Sequence, residues 1–439
     1  YVSRGYTTSR AYIPAQEGHS GKLTIVVVEG TVERIEVHPK GSACVATAFP
    51  GMVGGVFNLR DAEQGIDQLN RLGSNDAKLE IQPGSTPGSS VVQVSNTPGH
   101  RISGSVSVDN GGEPQTGDWQ GTATVLADDP LGLNDGLVVS HTRSDPSGPA
   151  DSRSTSVNYS IPYGWWTGSL SFSDSDYASL VHGMTQNFVT SGTSRYATLR
   201  LDRVAYRDQS RKLTVYADVT RKDVENFVAG ALIRASSRVL TVLDLDANLS
   251  IAAGGTLWSF DAGAARGLPW FGAMRDPGNL PKGAPSAEYT RLTGSTAVSR
   301  GFSPFGIRTQ LSSTLNGQWS NDTLYSSEQI GISGPYAVRG YRDVRLFGDR
   351  GLTWRNELSF PFVFHAGPMP VSVRPFLGMD YGRIWAHDML PSAYQTGWTA
   401  GASAAIWRVN LQLSWSAAAW RSASVPDDHM FFAHFSVNL

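Results

Sequence analysis

The chain has 439 residues, 36 basic and 38 acidic, and a formal net charge of -2, which gives no broad basic surface for nucleic acid. One cysteine, Cys44, excludes an internal disulfide and a cysteine-rich metal site. No apolar run approaches the roughly 18 residues of a membrane helix, which leaves open a membrane crossed by alternating strands.

The first ninety or so residues read as small α+β modules. Residues 21–29 form an expected strand, with Leu23, Ile25 and Val27 alternating before Glu29-Gly30. A second strand runs over 31–38 on Val32, Ile35 and Val37. Asn58 is a good helix cap, with Asp61 three residues on. Leu59, Ala62, Ile66 and Leu69 then form one helical stripe that ends near Gly73. Short strands follow at 78–81 and 90–94 around a Pro83-Gly84 turn. So small a unit has a thin core, and an exposed strand edge on it is a site for adding a partner strand. The chain starts in mid-pattern at Tyr1, as expected of a processed or truncated N-terminus.

After His100 the pattern changes to period 2. In 211–220, Leu213, Val215, Ala217 and Val219 oppose Lys212, Thr214, Tyr216 and Asp218. In 243–251, Leu243, Leu245, Ala247, Leu249 and Ile251 oppose Asp244, Asp246, Asn248 and Ser250. A dry core would need a partner for each of those carboxylates, whereas a wet interior does not. Candidate strands lie near 100–109, 118–127, 136–144, 153–162, 165–175, 194–205, 211–221, 237–250, 254–262, 289–299, 306–317, 351–361, 371–383, 396–407, 409–420 and 430–439. They make an all-β transmembrane barrel of sixteen antiparallel strands, an even number as such barrels have. From the fifth strand on, long links near 176–193, 222–236, 263–288, 318–350, 384–395 and 421–429 alternate with short ones, as in outer-membrane barrels. Trp165, Trp166, Trp385 and Trp407 near strand ends suit an aromatic girdle.

Within the link 318–350, the stretch 331–341 holds one arginine, Arg339, among several glycines. Loops this long are functional or disordered. In the strand at 371–383, Val371, Val373, Leu377, Met379 and Tyr381 are apolar, and Asp380 falls on the other face with Arg374, Gly378 and Gly382. Taken alone, Arg339 reads first as a solvated loop charge.

Several motifs in order then resemble the TpsB transporters of two-partner secretion, within the Omp85 superfamily. The run from Gly5 to Gln16, and the stretch through Val28-Glu29-Gly30, are similar to the end of their first POTRA domain. The runs 58–65 and 69–72 look like the helix of the second, and Pro83-Gly84 with 88–90 fits the exit toward the barrel. Val338-Arg339-Gly340-Tyr341 matches the signature at the tip of the sixth outer loop, and 376–382, Phe-Leu-Gly-Met-Asp-Tyr-Gly, the signature on the thirteenth strand.

The resemblance implies residues 1–29 as the C-terminal part of POTRA 1, 30–95 as POTRA 2, and 96–439 as the barrel, with the sixth loop (about 318–350) folded into the lumen. It implies that Arg339 meets Asp380 on the inner wall, with Phe376, Gly378 and Gly382 as the partner motif. Arg355, Glu357 and Arg374 are candidates to join or compete in that network. The implied activity moves a large unfolded exoprotein from periplasm to cell surface without ATP or an ion gradient. Folding of the β-helical substrate outside would drive it.

Expected partners are that exoprotein, bearing an N-terminal secretion domain, and outer-membrane lipids with lipopolysaccharide. No nucleic acid, cofactor or metal is expected, and the chain is expected to act as a monomer in the bacterial outer membrane. An adhesin, a haemolysin and a contact-dependent inhibition toxin all remain open as cargo. A diffusion porin explains the barrel but not the POTRA-like part or the Arg339 motif; an outer-membrane protein insertase usually carries more POTRA domains.

An enzyme is not expected. His434, Ser436 and Asn438 share a strand face that reads as lumen lining. His19, His38 and His100 lack ligand spacing, and 51–55 lacks the lysine of a phosphate loop.

Overall fold

The computed structural model describes residues 2–16, 22–145, 150–182, 187–388 and 390–439. The strands are β1 Arg10–Tyr12, β2 Val26–Val28, β3 Thr31–His38, β4 Ala77–Pro83 and β5 Ser89–Asn96, with helices α1 Val45–Ala48 and α2 Leu59–Asn70 between β3 and β4. There follow β6 Ile102–Asp109, β7 Gln120–Asp128, β8 Gly136–Ser144, β9 Asp151–Tyr163, β10 Trp166–His182, β11 Asn187–Arg207, β12 Arg211–Val228 and the short β13 Ala231–Leu232. The chain continues through β14 Arg238–Ala253, β15 Thr256–Gly267, β16 Thr290–Phe302 and β17 Thr309–Ser320. The last group is β18 Ile330–Gly331, β19 Phe347–Gly348, β20 Gly351–Ser359, β21 Phe362–Ala366, β22 Met369–Ile384, β23 Ala393–Ile406, β24 Val409–Arg421 and β25 His429–Asn438.

The small α+β unit is a sheet of order β3-β5-β4, with β3 and β5 parallel. Its core joins Val32, Phe57, Ala62, Leu69, Val92 and Val94, so the stripe of α2 packs on the sheet as its spacing requires. Asn58 caps α2 by accepting from the Arg60 N–H. Asp61 does not close a capping box: its Oδ1 accepts from Trp165 Nε1–H at 2.8 Å. The expected strand over 21–29 shrinks to β2, which among the described residues pairs with β1 alone. Leu23, Ile25 and Val27 stay exposed, because a two-stranded ribbon offers no second layer to cover them. Gly21 and His19 lie outside the described residues.

Glu33 on β3 ties the β4–β5 turn to the sheet. Its Oε2 accepts from the Ser85 N–H at 2.7 Å and from the Ser85 and Ser89 hydroxyls at 2.9 Å each. These bonds, the Ser85 amide first, lower its carboxyl to about 2. An unfolded glutamate titrates near 4.3, so the contribution to stability is complete above about pH 5 and is lost as pH falls through about 2. Carboxyl NMR of the full chain is expected to give Glu33 a midpoint near 2, and Glu33→Gln to remove that part of the acid destabilisation. A midpoint at the ordinary glutamate value would refute the assignment.

Among the described residues the rest is one closed antiparallel barrel of sixteen strands, with β25 pairing β6 to shut it. β20 and β21 together form its twelfth strand, and both pair with β22. The apolar rows face outward: Leu199, Leu201, Leu245, Leu292, Leu315, Leu377, Met379, Phe431 and Phe435 are all exposed to the surroundings. Inner-wall groups bond to one another instead, such as Thr198 with Thr220 at 2.9 Å and Asn248 with Asp261 at 2.7 Å. Apolar outside and polar inside suits a barrel in lipid with a wet lumen.

The link expected near 176–193 is mostly strand. Asp176 pairs with Thr193 and the ladder continues to His182 with Asn187; residues 183–186 lie outside the described residues. Likewise β12 runs on to Val228 and β15 to Gly267. The outer face of these extensions is polar, with Arg153 on Asp176 at 2.9 Å and Arg195 on Asp174 at 3.2 Å. Apolar alternation marks only the part of a strand that lipid covers, while the backbone ladder continues past it.

The α+β unit closes against the short-turn end of the barrel through α1 and α2. Gln68 Nε2 donates to Gly164 O at 2.8 Å and Arg71 to Ser160 Oγ at 2.7 Å. Asn134 exchanges bonds with the Cys44 backbone, at 3.0 Å as acceptor and 2.7 Å as donor. Trp165, expected in the girdle, is part of this contact. Trp319 and Trp385, 6.3 Å apart, lie near the long-loop end, with Arg350 and Arg383 over their rings.

Candidate functional site

The connection between β17 and β20, loop 6, folds into the barrel. Arg339 is 5% exposed and Asp380 1%. Asp380 lies on the lumenal face of β22 because Leu377 and Met379 take the lipid side. Arg339 Nε donates to Asp380 Oδ2 at 2.7 Å and Nη2 to Oδ1 at 2.9 Å, a two-pronged pairing of guanidinium and carboxylate. The Arg339 backbone N–H adds a third bond to Oδ2 at 3.1 Å. Its Nη1 donates to Glu357 Oε2 at 2.9 Å and its Nη2 to Asn356 O at 3.1 Å. One arginine thus ties together the twelfth and thirteenth strands.

The neighbours complete the seat. Arg374 Nη1 reaches Glu357 Oε1 at 3.3 Å, so Glu357 sits between two guanidinium groups. Arg355 donates to Pro335 O at 2.8 Å and holds the loop rather than competing for Asp380. Val338 and Tyr341 are fully buried with Ile332, Ile384, Ala393 and Val425. The Tyr341 hydroxyl donates to Thr396 O at 2.9 Å. Phe376 is buried, with Arg374 over its ring at 5.8 Å.

Close approach explains the glycines. Gly340 has φ +96, and a Cβ there would stand 2.5 Å from the Ala417 carbonyl carbon. A Cβ on Gly378 would run into Arg339 Nη2, and one on Gly382 would come within 2.8 Å of Val338 Cγ2.

Further carboxylates hold the loop. Asp428, before β25, accepts from the backbone N–H groups of Arg342 at 2.6 Å and Asp343 at 2.8 Å. Arg342 also reaches Asp118 at 2.6 Å, and Arg345 pairs with Glu113. Glu328, 1% exposed, accepts from Lys222 Nζ at 2.8 Å, Arg291 Nη1 at 3.1 Å and the Tyr289 hydroxyl at 2.5 Å. Burial by itself would push its carboxyl up; Lys222 first, then Tyr289 and Arg291, hold it below the usual carboxylate range. Among the described residues no cluster of three or more His, Cys, Asp or Glu side chains is arranged to hold a metal ion.

Residues 88–407 match the family of haemolysin secretion/activation proteins ShlB/FhaC/HecB, while 31–83 match a POTRA domain and 1–30 a ShlB-type POTRA domain. The chain belongs to the ShlB/FhaC/HecB family. It is 32% identical over 401 residues to the outer membrane transporter CdiB of Dickeya dadantii (strain 3937), covering 91% of this chain and 70% of that protein. It is 32% identical over 410 residues to the hemolysin transporter protein ShlB of Serratia marcescens, covering 92% and 70%. The structure of CdiB from Escherichia coli superposes with a TM-score of 0.92 at 30% identity, covering 100% of this chain and 82% of that one. CdiB from Acinetobacter baumannii, at 19% identity and a TM-score of 0.86 over 100% and 79% of the two chains, shares the fold.

This ShlB/FhaC/HecB-family protein is therefore an outer-membrane translocation protein of the Omp85 superfamily, with its POTRA-like regions on the periplasmic side. The short-turn end of the barrel faces the periplasm and the long-loop end the outside. Sequence reasoning picked out Val338, Arg339, Gly340, Tyr341, Phe376, Gly378, Asp380, Gly382, Arg355, Glu357 and Arg374, and the fold gathers them around loop 6. It missed Glu328 and Asp428, which lie in irregular links where no alternation marks a face. Gly397 was missed too, although a Cβ there would collide with Arg339 O; its strand neighbour Gly401 backs Phe376 in the same way.

Proposed function

We propose that this protein moves one large, unfolded, β-helical exoprotein bearing an N-terminal secretion domain from the periplasm to the cell surface. Residues 1–29 and 30–95, as the end of POTRA 1 and as POTRA 2, receive it, and the barrel of 96–439 conducts it. The observation that carries this reading is a buried loop inside a sixteen-stranded polar lumen, fastened through Arg339 to Asp380 and Glu357. A plain diffusion pore has no use for so closely fitted an obstruction. Family membership and the transporter names of the relatives support the same reading.

The physics of each stage is available. β4 is an edge strand of its sheet, so an extended segment can add there by main-chain bonds. The wet lumen lets unpaired backbone groups stay hydrated during passage. Folding outside then removes the emerging chain from the unfolded pool. Lipopolysaccharide and lipid surround a single barrel whose seam closes on itself, and no oligomer is needed to complete the pore.

Comparative proteomics of surface and medium tests the cargo. Deleting the gene is expected to remove one large secreted protein and leave other outer-membrane barrels at normal abundance. A general fall in barrel proteins would point to insertase activity and overturn the proposal, as would an unchanged set of secreted proteins.

A further inference from the structure

Loop 6 is held on two separate arcs of the barrel wall. Arg339 engages the twelfth and thirteenth strands, β20 and β22. Glu328, nearer the start of the loop, engages the seventh and tenth: Lys222 stands on β12 and Arg291 on β16. Asp244 on β14, the eighth strand, braces Arg291 at 3.4 Å. The Glu328 backbone is fixed as well, since its carbonyl accepts from Gln318 Nε2 at 2.9 Å on β17. The loop therefore crosses the lumen between a buried carboxylate at its root and a buried guanidinium at its tip. Loss of the Arg339 contacts leaves the Glu328 contacts in place.

We propose that Glu328 is a second positioning residue of loop 6, rooting it to the seventh and tenth strands so that the pore clears fully only when root and tip both release. A carboxylate with three donors from outside the loop, a fourth from the Ser327 hydroxyl at 3.1 Å, and almost no exposure to water is costly to detach alone. Release becomes cheap only if Lys222 and Arg291 gain new partners as it leaves, and the backbone or acidic side chains of a passing polypeptide supply such acceptors. The root would then open under cargo and stay shut without it. This inference rests on the reading that loop 6 obstructs the pore.

Conductance of the purified full chain in planar lipid bilayers tests it without any substrate. The position of the tip is read separately by a disulfide bridge that a short bis-methanethiosulfonate sets between Ser333→Cys and Gln395→Cys, whose native side chains approach to 3.0 Å at the Gln395 amide, in a Cys44→Ser background. Glu328→Gln is expected to raise the frequency of open events severalfold with the tip disulfide still forming. Tyr289→Phe, which removes one bond and keeps the ring, is expected to act in the same direction more weakly. Glu328→Gln combined with Arg339→Ala is expected to conduct more than either alone. If Glu328→Gln and Tyr289→Phe stay as quiet as the parent while Arg339→Ala conducts, the root has no role and the proposal falls. A rise in conductance with loss of the tip disulfide in Glu328→Gln also overturns it, because root and tip would not be separate. Silence of Arg339→Ala in the same assay would instead refute loop 6 as the obstruction.

Discussion

Arg339→Ala is expected to lower export of the cognate exoprotein by about tenfold or more while the barrel still inserts, because the change takes the bonded guanidinium from buried Asp380 and leaves Glu357 with Arg374 alone. Asp380 is 1% exposed and its Oδ1 would keep only the Asn356 N–H, at 3.3 Å. Breaking a buried pair from one side typically costs about 3–5 kcal/mol, more than an exposed ion pair of the same geometry is worth. The ladders between β20, β22 and β23 do not depend on the loop, so heat-modifiable migration on a gel is expected to persist. Arg339→Lys keeps the charge but not the fork, and is expected to recover export only in part. Gly378→Ala adds a methyl where Arg339 Nη2 lies and is expected to mimic Arg339→Ala without touching any charge. Quantitative immunoblotting of the medium gives the readout. Parental export by Arg339→Ala would show that the pin is dispensable.

The parts of this fold that lipid enforces are the parts that could be read in advance. Leu245 and Asp246 must part company in a membrane, and the alternation records that choice residue by residue. Strand count, strand order and the face of Asp380 all follow from it. Strand ends were less legible. Beyond the lipid the outer face of β10 and β11 turns polar at Asp174, Asp176 and Arg195, so the residues from Asp176 to Thr193 read as a link although the ladder runs through both of those end positions. Loop 6 was legible at Arg339 only through its resemblance to known motifs. Glu328 and Asp428 carry no such signature, and their partners Lys222, Arg291 and the 342–344 backbone are distant in sequence. Trp165 shows the opposite error: its position beside a tight turn suited a lipid boundary, but its indole N–H satisfies Asp61 of α2. Composition cannot separate a tryptophan facing headgroups from one facing a neighbouring domain.

The domain contact at the periplasmic mouth leads to the other large expected effect. Arg207, at the end of β11, is mostly buried and donates to Asp67 Oδ2 at 2.6 Å and Gln64 Oε1 at 3.2 Å, with Glu63 at 3.6 Å. Lys212 lies 3.6 Å from the same Asp67. The polar face of α2 is thus oriented by cations of the barrel, while its apolar face packs on its own sheet. Arg207→Glu would set a carboxylate against Asp67 and Glu63. Arg207→Glu replaces its attractions to Asp67 and Glu63 by repulsions at a contact whose carboxylates stay 41% and 33% exposed, so α2 is expected to leave the mouth and export to fall about tenfold. A disulfide bridge that a short bis-methanethiosulfonate sets between Gln68→Cys and Thr167→Cys in a Cys44→Ser background, where the Gln68 amide lies 3.2 Å from the Thr167 hydroxyl, reports the contact directly. It is expected to form in the parent, fail in Arg207→Glu, and return when Asp67→Lys is added. Export recovering with it would tie the seating of α2 to delivery of the chain. If the disulfide returns and export does not, Arg207 itself acts on the passing cargo; if export never falls, the seating of POTRA-like helix α2 at the mouth plays no part in transport.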